Sequence, residues 1–302
     1  MTGSTGAPID HNDYDTIRDN VATLLGIGAG SRGYGQSVYS ADVVLGNTIT
    51  KAQWDAVRYD LVTILYHQNG VLPSLVTVNV GDPIRYGPGN PNIDYATAFD
   101  SAETNRFVLA NSQSMISTAA EQTYSSNWHI QARATLTVTF DNANNARYFF
   151  NSGGKIRFTS SHVGGDNTPQ NVSWSNLLSA VGTQGFGADS PAVNFYNLTN
   201  SYQTFYTFNS TLYYGGNSFT LEAKSDVSNN SSGTATVLTF RITWADTFVD
   251  RKFPPLQPDN VNGNLSILVE ELRAVGQTFP GGGAGSFAIV PPIYSISSIS
   301  AS

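Results

Sequence analysis

In Ile130–Phe140 (IQARATLTVTF) every second residue is apolar: Ile130, Ala132, Ala134, Leu136, Val138 and Phe140. A period of two places these side chains on one face of an extended chain and the polar ones on the other, which predicts a half-buried β-strand. Upstream the period differs. In ITKAQWDAVRYDLVTILYHQNG (Ile49–Gly70), Trp54, Val57, Leu61, Ile64 and Leu65 recur at helical spacing and form one apolar stripe. A chain that moves from helical to strand periodicity without regular β-α alternation folds as α+β, with helices segregated from a mainly antiparallel sheet.

The second helix has the clearest local signature. Thr50 and Gln53 are spaced as a capping box, and Ile49 and Trp54 as a hydrophobic staple. Lys51 and Asp55 can pair one turn apart, and Asn69-Gly70 ends the helix. An earlier helix is predicted over Tyr14–Leu25, with Asp13 as its cap and Gly26 as its stop. The two, joined by a glycine-rich loop, predict a helical hairpin. A short strand is expected in Ser74–Pro83, and a third helix from Asp94 through Tyr95, Phe99 and Glu103 towards Leu109. After residue 130 the strand candidates are KIRFT, YQTFYTF, SFTLEAK, TATVLTFRITW and GNLSILVEELRAV. SWSNLLSAVG is a helical insert stopped by Gly182. The organisation expected is a helical region over 1–125, a β-sandwich-like domain with short helical inserts over 126–275, and a Gly-rich linker with an apolar tail over 276–302.

Composition narrows the function classes. Charged residues are 12% of the 302, and the formal net charge is −7. Such a chain lacks the basic footprint that nucleic-acid binding needs. There is no cysteine, hence no disulfide and no thiol chemistry. The start, MTGSTGAPIDHNDYD, has neither the basic nor the apolar segment of a secretory signal, and no apolar run reaches the ~18 residues of a membrane span. Gly28–Gly33 (GAGSRG) matches a dinucleotide-binding pattern literally. That reading requires a strand before it and a helix after it, whereas here a helix precedes it, so an inter-helix loop is expected. His11, His67, His129 and His162 have no metal-ligand spacing, and His67 reads as a cation at a helix C-terminus. Asp246, Asp250, Glu270 and Glu271 are the nearest carboxylate cluster, but Glu270 and Glu271 on one strand would face opposite ways. No catalytic, cofactor-binding or metal residue is nominated, and an enzyme is not expected.

The stretch Ala146–Phe158 (ARYFFNSGGKIRF) looks at first like a hairpin or an anion-binding loop. Read from Phe140, it is instead a strand, a short helix capped at Asp141, a glycine stop and another strand. Glycines at a helix end have the wrong dipole sign for an anion. ARYFFNSGGKIRFTSS, WSNLLSAVGTQGFG, YDTIRDNVATLLGIGAGSRGYGQSV and WDAVRYDLVTILYHQNG together resemble modules of virion structural and tail-fibre-related proteins of tailed bacteriophages, cyanophages in particular. These stretches cover about a third of the chain. The resemblance implies a non-enzymatic tail, neck or baseplate component, assembled in the host cytoplasm, whose partners are copies of itself and other virion proteins. The alternative is a receptor-binding module that grips a cell-surface glycan. Exposed Tyr beside Asn and Gln suits either use, and the candidate interface residues are Tyr202, Tyr206, Tyr213, Tyr214, Phe287, Ile289 and Tyr294. The apolar tail is expected to dock on a neighbouring subunit.

Overall fold

The computed structural model describes residues 11–75, 77–79, 95–210, 214–247, 260–275 and 287–302. The fold is α+β, with five α-helices and ten strands among these residues. The chain forms two compact units that interleave along the sequence. One comprises 1–115, 147–154 and 273–290, and the other 116–146, 155–272 and 291–302. The first unit thus recruits two short pieces from far downstream, which no linear division at 125 and 275 contains.

The first unit is built on α1 (His11–Leu25), α2 (Lys51–Asn69) and α3 (Tyr95–Thr104). The α2 capping box is present: Thr50 Oγ1 accepts from Gln53 N (3.3 Å), and Gln53 Oε1 accepts from Thr50 N (2.8 Å). Lys51 and Asp55 form their ion pair, and Gly70 closes the helix in the left-handed region (φ 70°). Helix α1 starts at His11, so Asp13 lies inside it and is not its cap. The helices start together. The Tyr14 and Trp54 rings are 6.1 Å apart, and those of Trp54 and Tyr95 4.9 Å. They also end together, around Tyr34. Its amide donates to Leu24 O, its hydroxyl donates to Arg106 O, and Gln68 donates to that hydroxyl. A tight hairpin would bring the end of one helix to the start of the next. Here residues 26–50 run back along the pair before α2 begins. Leu75 makes one β-bridge and 77–79 are irregular, so the described part of Ser74–Pro83 is not a strand.

The second unit is a two-sheet sandwich. Its strands are β1 (Ser114–Tyr124), β2 (Gln131–Thr139), β3 (Lys155–Val163), β4 (Thr183–Phe186), β5 (Gln203–Asn209), β6 (Ser218–Ser225), β7 (Val237–Ala245), β8 (Asn264–Ala274), β9 (Ile293–Ile296) and β10 (Ser300–Ala301). One sheet runs β1-β8-β3-β4. The other runs β10-β2-β7-β6-β5, with β9 also on β2. The first strand thus neighbours the eighth, and the second the seventh. The alternation in β2 holds from Ala132 onward: Ala132, Ala134, Leu136 and Val138 are buried, opposite Leu238, Phe240, Ile242 and Trp244 of β7, whereas Ile130 precedes the strand and is exposed. Phe158, Phe186, Phe205 and Phe240 join the two sheets, with ring separations of 5.1–6.1 Å. Trp244 Nε1 donates to Ser160 Oγ across the same core (2.9 Å).

Helix α4 (Ala143–Asn151) and helix α5 (Pro169–Val181) are the inserts. Asn142, not Asp141, caps α4, since its Oδ1 accepts from Asn145 N. Helix α5 is capped by Thr168 and buries Trp174, Leu177, Leu178 and Val181. Within the tail, β9 and β10 belong to this chain's own sheet. Ile293–Ile296 pair with Leu136–Thr139, Ser300 and Ala301 pair with Arg133 and Ala132, and Ser302 O accepts from the amides of His129 and Ile130. The described part of the tail thus packs on its own chain.

Candidate functional site

The glycine loop and the Arg147–Gly154 part of the Ala146–Phe158 stretch meet in the first unit. Arg147, on α4, is buried and points its guanidinium into the loop after α1. Its Nη2 donates to Gly28 O (2.6 Å), Arg32 O (3.0 Å) and Ile27 O (3.3 Å), and its Nε to Gly30 O (3.1 Å). One turn on, Asn151 Nδ2 donates to the carbonyls of Gly30, Arg32 and Gly33. A phosphate-binding loop points amides inward. This loop points carbonyls inward, at the C-terminal, electronegative end of α1, where a cation is favoured. GAGSRG is therefore a receptor for the chain's own arginine. Gly33 (φ 97°) permits the fold, because a Cβ there would lie 2.8 Å from Gly28 N. Gly153 (φ 82°) ends α4, and a Cβ there would lie 2.7 Å from the Leu109 Cβ. The other basic residues of the stretch are paired as well, Lys155 with Asp189 (2.7 Å) and Arg157 with Glu270 (3.5 Å).

His67 is not a cation at a helix end. It is buried, with Nε2 3.0 Å from Ser152 O and its ring stacked on Phe287 at 4.0 Å and 6°. Burial lowers its pKa from 6.5 to about 4. Between these values the unfolded chain takes up a proton that the folded chain refuses, so stability falls as pH drops through this window. Between pH 7 and about pH 4.5 the native chain should lose about 2 kcal/mol more than His67→Gln, read from urea unfolding at both pH values.

The described carboxylates of the expected cluster sit in different settings. Asp246 is buried and accepts from the Gln170 amide. With its amide so turned, Asn217 donates to Asp246 Oδ1 (2.8 Å) and accepts from Trp174 Nε1 (3.1 Å). Glu270 faces Arg157, Glu271 is buried, and Asp250 lies outside the described residues. His162 Nδ1 lies 3.0 Å from Ser175 Oγ, but that hydroxyl donates to His162 O, and Nε2 meets Asn262 O at 2.7 Å. These bonds pin α5 to β3. Among the described residues no cluster of three His, Asp or Glu side chains is disposed for a metal ion, and no helix is long and apolar enough to cross a membrane.

The expected interface residues divide. Phe287 and Ile289 are buried in the first unit, and Tyr214 is buried in the second. Tyr213 lies outside the described residues. Tyr206, half-buried on β5 opposite Leu221, has its hydroxyl pKa raised by desolvation. Tyr294 is half-buried on β9. Tyr202 is the most distinctive, with Arg241 Cζ 4.2 Å and Lys224 Nζ 4.8 Å from its ring centroid. Arg241 also holds Glu222 through two bonds of 2.5 and 2.6 Å. This cluster sits on the outward face of β6 and β7, beside rows of threonine set by the register. Thr137 opposes Thr239, Thr220 opposes the buried Thr243, and Thr207 opposes Thr220, the hydroxyls of this last pair 3.1 Å apart. The face was missed in the sequence because its signal is the polar half of each alternation.

Comparison with known proteins finds no family model, no characterised protein and no solved structure that matches this chain.

Proposed function

We propose that this chain is a structural protein of a tailed-phage virion, in the tail, neck or baseplate, that works by packing against copies of itself and other virion proteins. The observation that carries this is the identity of the residues at the Arg147 interlock. GAGSRG and ARYFFNSGG, two of the stretches that resemble virion proteins, meet there, and their polar groups bond one another. Such wording serves a scaffold, not a reaction centre. The nested pairing of β1 with β8 and β2 with β7 is shared with jelly rolls, which recur in capsid and lectin domains, but here β3 pairs with β4 and β5 with β6. That is an analogy of fold, not of function. Negative-stain imaging of particles carrying a labelled copy tests the reading: label at one fixed level of the tail supports it, and particles without label oppose it.

The Tyr202 cluster favours the second reading, a glycan-binding face. An aromatic ring with flanking Arg, Glu and Thr offers both stacking and hydrogen bonds. If the face binds sugar, Tyr202→Ala will weaken binding on a glycan array by about tenfold or more at unchanged thermal stability. A native chain that binds no glycan removes this reading.

A further inference from the structure

The two sheets of the second unit have four edges, and three are protected. The β2 edge is covered by the chain's own β9 and β10. Strand β4 has four residues. Strand β5 carries a register irregularity between Thr204 and Tyr206. Short edges, bulges and covering segments are how folded chains avoid pairing with one another. The fourth edge is β1, which among the described residues has β8 as its one neighbour in the sheet path. It is eleven residues long, SMISTAAEQTY, with no proline and a single charge, Glu121. None of its residues is buried on either face, and Ile116 is 51% exposed. The inner strands differ: β3 buries Ile156 and Phe158, and β8 buries Leu265, Ile267 and Val269. Strand β1 therefore gains little from the core of its own sandwich, yet presents a long row of backbone donors and acceptors.

We propose that β1 pairs antiparallel with β1 of a second copy across a two-fold axis, continuing the sheet from one protomer into the next. Paired in this direction the strand is complementary to itself. Antiparallel pairing centred on Ala119 sets Thr118 opposite Ala120, Ser117 opposite Glu121 and Ser114 opposite Tyr124. The lone carboxylate then faces a hydroxyl. Parallel in-register pairing would set Glu121 beside Glu121, which is repulsive. A two-fold contact of this kind is self-complementary and closed. The proposal goes beyond the virion reading and is tested on purified protein alone, so either can fail without the other.

Because the chain has no cysteine, single cysteines report the contact cleanly. Opposed residues of an antiparallel pair have Cα atoms about 4.5–5.5 Å apart, within disulfide reach. Under mild oxidation Ala119→Cys, or a neighbour at 118 or 120 if the register is offset, should give a covalent dimer of twice the 32.4 kDa chain. Thr207→Cys on the β5 edge should not. The uncrosslinked native chain should be a dimer by sedimentation, and Ile116→Lys with Thr118→Lys should weaken that dimer by about tenfold or more with no change in melting temperature. A native chain that stays monomeric up to about 100 μM overturns the proposal, including the case where a different protein occupies the edge. So does an oligomer in which β1 cysteines crosslink no better than Thr207→Cys.

Discussion

A chain ending at Gly276 will be recovered as aggregate. The loss strikes each unit separately. In the first, Phe287 and Ile289 leave the core. Phe287 stacks on His67 and lies 5.6 Å from Tyr34, while Ala288 exchanges two hydrogen bonds with the Gln36 side chain. Emptying a buried Phe site costs about 3–5 kcal/mol alone. In the second, β2 loses β9 and β10 and becomes an unprotected nine-residue edge, the kind of strand that templates aggregation. Together these losses are of the order of a whole domain's stability, about 5–15 kcal/mol. The milder Phe287→Ala should stay soluble and lose about 3–4 kcal/mol in urea unfolding. A soluble truncated chain with a native melting temperature would contradict this account of the tail.

Arg147→Met should be the most damaging single substitution in the first unit. It keeps the length of the side chain but removes the donors that serve the carbonyls of Ile27, Gly28, Gly30 and Arg32. Buried acceptors left without a partner cost about 1–3 kcal/mol each. Asn151 still reaches Gly30 and Arg32, so the expected loss is about 3–5 kcal/mol. Arg147→Lys should recover only part of it, because one ammonium cannot reproduce the planar fork that spans several carbonyls. Equilibrium unfolding of the three proteins decides the matter. Equal stability of the Met variant and the native chain would mean that the interlock contributes nothing.

Features set within a few residues were legible in the sequence. The Thr50–Gln53 box, the Gly70 and Gly182 stops and the β2, β3, β6 and β7 alternations depend on local spacing. Their partners are a turn or a strand away. The caps were misplaced: Asp13 lies inside α1, and Asn142 caps α4 one residue after Asp141, in a run of polar side chains where more than one can accept from the first amides. Strand β1 was unreadable for a physical reason: it has no fully buried residue, so its sequence needs no apolar alternation. The tail, with Pro291 and Pro292 before IYSISSIS, has too little pattern to show that it pairs with β2. The Arg147 interlock joins groups 115–120 positions apart, beyond any periodicity. Tyr214, Phe287 and Ile289 show a further limit. An apolar side chain has the same composition whether its neighbours come from its own chain or from another.

The most direct test of the virion proposal is quantitative peptide mass spectrometry of gradient-purified particles. The account predicts this chain in fixed ratio to the other tail proteins, retained through high-salt washing. A chain abundant in infected-cell lysate but absent from the particles would contradict it.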